Sequence, residues 1–439
     1  MVDNLGILRA SVAAKLVRLS AAADEMPSGR GGHLATLTRH TLERFYAEVG
    51  LIESAITQAD SLPEGDPKTR ILANAARKFE RLGPQLGILH IVVSRYRQAI
   101  DRSDVPVGLQ HLVGVLMADV LITPGDPLIN LDPDDNYSTV DLVDLLDRIL
   151  DRGLGAKSEY TKPHPIAFNV PALDPANALL SPLLAHEVAH SAVNQKLLAE
   201  LRNKDSGRTE QLLLSHLQKS GLDLTSQAAI EWAERFFGWC SELLCDAVAL
   251  ALCGPSFAWA FAAYLPPSTV AALNTHPPLR DRMAFHLAGL DLLGWTPLMS
   301  VHSPGVLAWM RNVSANPALT NSAEEAFLRE AVEQLRAEIF QVAMDHVSYR
   351  LEPGDFERVA DEAIVGLRAG IPWVEIGDSV LSTWQLVLAG WCASFAERGD
   401  AEISLVDASN DAQYNALLVK ALEMSSVVLA WRGDGNATA

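Results

Sequence analysis

The stretch Leu183-Leu184-Ala185-His186-Glu187-Val188-Ala189-His190 is an H-E-x-x-H sequence whose other positions are all apolar. On a helix His186 and His190 leave the same face one turn apart. Two neutral ring nitrogens placed like this can share one zinc ion at about 2.0–2.1 Å. Glu187, beside them, is placed to take a proton from a water that the metal activates. Ser181 suits an N-cap and Pro182 the first helical position, so the spacing predicts a helix beginning there.

The regions around this helix also read as helical. Leu34, Leu37, Leu42, Phe45, Val49, Ile52 and Ile56 recur near a 3.6-residue period, and a second stretch runs from Thr69 to Arg102, loosened at Gly83-Pro84. A long helix is predicted from Ser226 to Cys253, closed by Gly254-Pro255. Beyond Ser303, Phe327, Ala331, Leu335, Ile339 and Ala343 share a face, and later helices are predicted over 356–369, 379–398 and 413–431. The one good strand candidate near the motif lies within Tyr160 to Leu173, around Ile166, Phe168 and Val170. His164 in that stretch reads as a loop residue. The acidic run Asp132 to Asn136 resembles the start of a calcium loop, but Tyr137 and Val143 stand where glycine and glutamate are needed, so it reads as a solvated loop. The expected fold is therefore mainly α (α+β): a helical core with a small edge sheet and helical extensions at both ends. The expected segments are 1–104, 105–302 and 303–439.

Composition narrows the function. The formal net charge of −19 argues against nucleic-acid binding and against an anionic membrane surface. Ala247 to Leu265 carries no charge and is long enough for a membrane span, but Gly254-Pro255 interrupts it, so two buried helices are expected instead. Cys240, Cys245 and Cys253 fall on one predicted helix and Cys392 far away, which is no disulfide framework. The N-terminal residues read as an amphipathic helix and not a signal peptide. A cytoplasmic location is expected.

A catalytic zinc takes three protein ligands and one open position. A metzincin pattern fails, because Val193 and Lys196 stand where glycine and histidine are required. A thermolysin-like count of twenty residues past His190 lands on Glu210, but Leu214 stands where the supporting aspartate belongs. Glu242 is the stronger candidate. Glu242 and Asp246 lie four apart on an otherwise apolar helix, and two carboxylates there are costly unless something neutralises them. Zinc on Glu242 would help do so. Asp246 would accept the spare ring N–H of His186 and fix its tautomer. Further on, Thr275-His276-Pro277-Pro278 is followed by Arg280 and Arg282, and a histidine and an arginine near zinc can hold an oxyanion.

H-E-x-x-H, then E-x-x-x-D about fifty residues on, then T-H-P with an arginine six residues after the histidine, resembles the gluzincin metallopeptidases. Within them it is most similar to the group of the CaaX prenyl proteases, the heat-shock membrane peptidases and the soluble minigluzincins. The resemblance spans Ile166 to Met283. It implies His186, His190 and Glu242 as zinc ligands, Glu187 as base, Asp246 as support to a ligand, and His276 and Arg282 as transition-state groups. Cys245 and Ser241 depart from the family's usual alanine and basic residue. The function expected is hydrolysis of peptide bonds in a protein or peptide substrate, with the helical ends available to a regulatory protein partner. The alternative expectation is a catalytically silent interaction protein with a structural zinc.

Overall fold

The computed structural model describes residues 4–26, 32–100, 105–120, 126–132, 137–150, 160–161, 164–172, 176–204, 207–221, 223, 225–264, 276–315, 323–372, 374–377, 379–398 and 405–432. The fold is mainly α with a small sheet. In chain order come α1 (Leu5–Asp24), α2 (Gly32–Asp60), α3 (Asp66–Arg97), α4 (Val107–Val120), β1 (Asp126–Asp132), β2 (Ser138–Asp141), α5 (Leu142–Ile149) and β3 (Pro165–Pro171). Next are α6 (Pro182–Ala192), α7 (Leu198–Asn203), α8 (Arg208–Lys219), α9 (Gln227–Cys253), α10 (Pro255–Tyr264) and α11 (Leu279–Leu292). Then follow α12 (Thr296–His302), α13 (Pro304–Ala315), α14 (Ala323–His346) and α15 (Pro353–Arg368). The hairpin β4 (Glu375–Ile376) and β5 (Ser379–Val380) precedes α16 (Thr383–Arg398), α17 (Leu405–Ser409) and α18 (Ala412–Arg432).

The chain forms two compact units, interleaved in sequence: residues 1–104 with 123–173, and 105–122 with 174–439. The sequence reading, by contrast, takes three consecutive segments. In the first unit α1, α2 and α3 pack on one another around Leu16, Phe45, Phe79 and Leu86. The helix α3 runs unbroken through Pro84, where the sequence predicts loosening. β3 is the middle strand of three, parallel to β1 and antiparallel to β2. All seven of its residues are buried, as expected for a strand covered on both faces. The predicted strand is thus present, and β1 and β2 flank it where the sequence reads only turns and a loop. Of the acidic run, Asp132 ends β1 and pairs with Arg95 at 3.1 Å; residues 133–136 lie outside the described residues. His164 bonds through Nδ1 to Asp141 at 2.7 Å, and the other oxygen of Asp141 caps α5.

The second unit is built around α9, on which α6, α11 and α14 pack. Ser226 starts α9, its hydroxyl accepting the Ala229 N–H at 3.2 Å. From Trp239 to Cys253 every residue except Ser241 is buried. The helix closes at Gly254, which adopts φ 58°, and a side chain there would also press on the Trp295 ring. α10 follows at once, so the uncharged run read as a possible span is two helices; Leu265 lies outside the described residues. Among the described residues α9 alone is long and apolar enough to cross a membrane, and 83% of its apolar window is buried in the protein. None of the four cysteines is in a disulfide, and all are buried.

Candidate metal centre

α6 carries the H-E-x-x-H sequence, and its start is held from far downstream. Leu179, in the short turn before it, donates its N–H to the Asn415 side chain at 3.0 Å, and its carbonyl accepts from the Trp391 indole at 2.9 Å. Ser181 does not cap α6 with its side chain. The turn before it leads straight into the helix, and the hydroxyl donates instead to the Ala178 carbonyl at 2.6 Å. Three residues after His190 the helix widens into a π segment over Val193–Leu197 before α7 resumes the α form. Such bulges are frequent at functional sites.

Packing of α6 on α9 brings the two histidines to Glu242. His186 Nε2 lies 3.5 Å from Glu242 Oε2, and His190 Nε2 lies 3.7 Å from Oε1. Each ring's other nitrogen faces a different neighbour. His186 Nδ1 donates to Asp246 Oδ1 at 2.8 Å, and His190 Nδ1 lies 3.3 Å from Cys245 Sγ. His276, ahead of α11 and 43% exposed at its side chain, places Nε2 3.3 Å from Glu242 Oε1. Thr275 lies outside the described residues. Arg282 is buried and grips Asp246 with two bonds, Nε to Oδ2 at 2.8 Å and Nη2 to Oδ1 at 2.5 Å, and its Nη1 stands 3.6 Å from Glu242 Oε2. Its guanidinium also lies over the Phe261 ring, 4.1 Å from the centroid. Glu210, the rival third ligand, bonds Arg202 at 2.6 Å in the first turn of α8.

Two donor sets are close enough to consider. Ligands of one tetrahedral zinc, each 2.0–2.1 Å away, stand about 3.4 Å from each other. The Nε2-to-carboxylate spacings, one to each oxygen of Glu242, are near that value, and among the described residues the buried Glu242 Oε2 has no hydrogen-bond partner, so the residues fit an ion held by His186, His190 and Glu242. A different group, His186, His190 and Cys245, brings one ligand atom from each residue within 4.8 Å of the others. The carboxylate set is the better fit. Burial, together with the charges of Glu242 and Asp246, pushes the Cys245 thiol far above its ordinary pKa, and a thiol must ionise to bind a metal well. Its sulfur also meets the Nδ1 atom of His190, whereas Nε2 faces Glu242.

The electrostatics follow from one buried cluster of mixed charge. Burial disfavours the charged His186 imidazole, but the Asp246 and Glu242 carboxylates outweigh it and hold its pKa at about 9. Burial and the charge of His186 lower His190 to about 4. Burial would raise the Glu242 pKa, but His186 and Arg282 outweigh it and lower it to about 2. Glu187 is pushed up to about 7, chiefly by burial.

No protein-family model matches the chain, no curated protein matches it, and no solved structure matches it.

One member of the cluster escapes a sequence reading. His286 is fully buried and bonds Asp246 Oδ2 at 2.9 Å. Its only signal is its place four residues after Arg282, on the same face of α11.

Proposed function

We propose that the chain is a zinc-dependent peptidase of the gluzincin kind, cutting peptide bonds in a protein or peptide substrate, with a cytoplasmic site of action. The observation that supports this most is the approach of both Nε2 atoms of the H-E-x-x-H pair to one buried carboxylate from a later helix. His186, His190 and Glu242 would hold the ion. Zinc bound there supplies Lewis-acid activation of water and of a substrate carbonyl. Glu187, part-buried and poised at about 7, takes the proton from the attacking water and returns it to the leaving amine near neutral pH. His276 reaches solvent, so it is the group able to meet a substrate oxyanion. The resemblance would give Arg282 the same task, but two of its nitrogens are committed to Asp246. In this reading Arg282 holds Asp246 and faces Glu242.

A second reading has one observation in its favour. His186, His190 and Cys245 bring one ligand atom each within 4.8 Å of the others, and a thiolate there could take the position a reacting water needs and make the metal purely structural. The chain would then be a silent interaction protein. The same experiment separates the two. Zinc-loaded protein is incubated with unfolded casein, with and without chelator, beside the Glu187→Gln variant. The peptidase reading expects cleavage that chelator stops, and a variant that keeps zinc stoichiometry yet loses turnover by at least about a hundredfold. Zinc bound with no metal-dependent cleavage favours the structural site.

A further inference from the structure

His286 is a costly residue to keep where it is. Its ring is fully buried between Phe257 and Phe261, with centroids 5.2 and 5.1 Å away. Nε2 meets Asp246 Oδ2, while the buried Nδ1 has no hydrogen-bond partner among the described residues. A site filled for packing alone would take an apolar side chain and avoid that unpartnered nitrogen. What the imidazole adds is a single donated bond.

That bond completes a symmetric hold on one carboxylate. Asp246 Oδ1 receives His186 Nδ1 and Arg282 Nη2; Oδ2 receives Arg282 Nε and His286 Nε2. Each oxygen has one arginine nitrogen and one imidazole. Without His286, Oδ2 keeps one partner and Oδ1 two, so the carboxylate can tilt and its grip on His186 loosens. We infer that His286 is a positioning residue of the metal centre: through Asp246 it fixes the tautomer and direction of His186, keeping Nε2 turned toward Glu242. This rests on the zinc reading given above.

The test compares His286→Gln, whose amide can still donate toward Asp246, with His286→Phe, which fills the space and donates nothing. Zinc affinity of the full chain is measured by competition with a chromophoric chelator, and melting of the metal-free protein is recorded alongside. The expected result is zinc binding about tenfold weaker in the Phe variant and within about threefold of the parent in the Gln variant, since partners behind a ligand histidine typically govern affinity on that scale. A Phe variant that binds as tightly as the parent overturns the inference, as does a Gln variant as weak as Phe. Should the Phe variant fail to fold, His286→Asn replaces it, because its shorter amide falls short of Oδ2 and is expected to weaken zinc equally. A His186→Ala control separates the two levels. If the parent shows no zinc binding that depends on His186, the zinc reading falls and takes this inference with it. If the parent binds zinc and the His286 variants match it, only the inference falls.

Discussion

Asp246→Asn keeps the size of a fully buried side chain and removes its charge. In the parent, that carboxylate accepts two bonds from Arg282 and one each from His186 and His286. Asparagine cannot reproduce this, because its amide NH2 is a donor facing donors. Breaking one side of a buried ion pair costs about 3–5 kcal/mol, since the remaining charge stays buried. The lower end applies here, because Glu242 still stands 3.6 Å from Arg282 Nη1. At roughly 2 °C per kcal/mol for a unit of this size, the variant should melt about 6 °C lower. Differential scanning calorimetry of the metal-free proteins at pH 7 measures this directly. The pH dependence has a definite sign. Burial alone would raise the Asp246 pKa, but Arg282 and His286 hold it well below the ordinary range. Its contribution is therefore fully present above the unfolded value of about 3.9 and is lost as pH falls through the lower folded value. The gap between parent and variant should stay constant from neutrality down to about pH 5 and narrow only below about pH 4. Equal melting temperatures at pH 7 would refute the claim that Asp246 is the electrostatic hub of the cluster.

Zinc uptake should release protons, because His186 at about 9 is protonated at neutral pH and must lose that proton to coordinate. Affinity should rise roughly tenfold per pH unit from about pH 6 to 9, and calorimetric titration in buffers of different ionisation enthalpy would count the protons. Gly289→Ala should destabilise the protein by about 1–3 kcal/mol, because a methyl group on α11 would overlap the Phe340 ring; chemical denaturation reads the loss.

Much of the centre can be read from local spacing. His186 and His190 are a turn apart whatever else the chain does, and Glu242 and Asp246 announce themselves as carboxylates in an apolar helix. Other features are not local. β1 pairs with β3 across residues far apart in sequence, and Asn130 in its middle is satisfied by Asn169 at 2.8 Å, a bond no local pattern reveals. Asp126 to Asp132 therefore looks like a turn and a charged loop until its partner is known. Pro84 misleads in the other direction. Proline removes a helical donor, yet α3 continues through it, with the flanking Leu82 and Leu86 buried in the first unit's core. Arg282 shows the limit of motif reasoning: the spacing marks it as important, but only its bonds to Asp246 show which neighbour it serves.

The clamp on Leu179 by Trp391 and Asn415 ties the helix that carries H-E-x-x-H to the order in which the protein is made. His190 leaves the ribosome more than two hundred residues before Asn415 does. At about 5–20 residues per second, that is an interval of roughly 10–45 s in which the histidine pair exists without its anchors. A nascent chain cannot anchor this helix early, so its start is held only once Trp391 and Asn415 have been made.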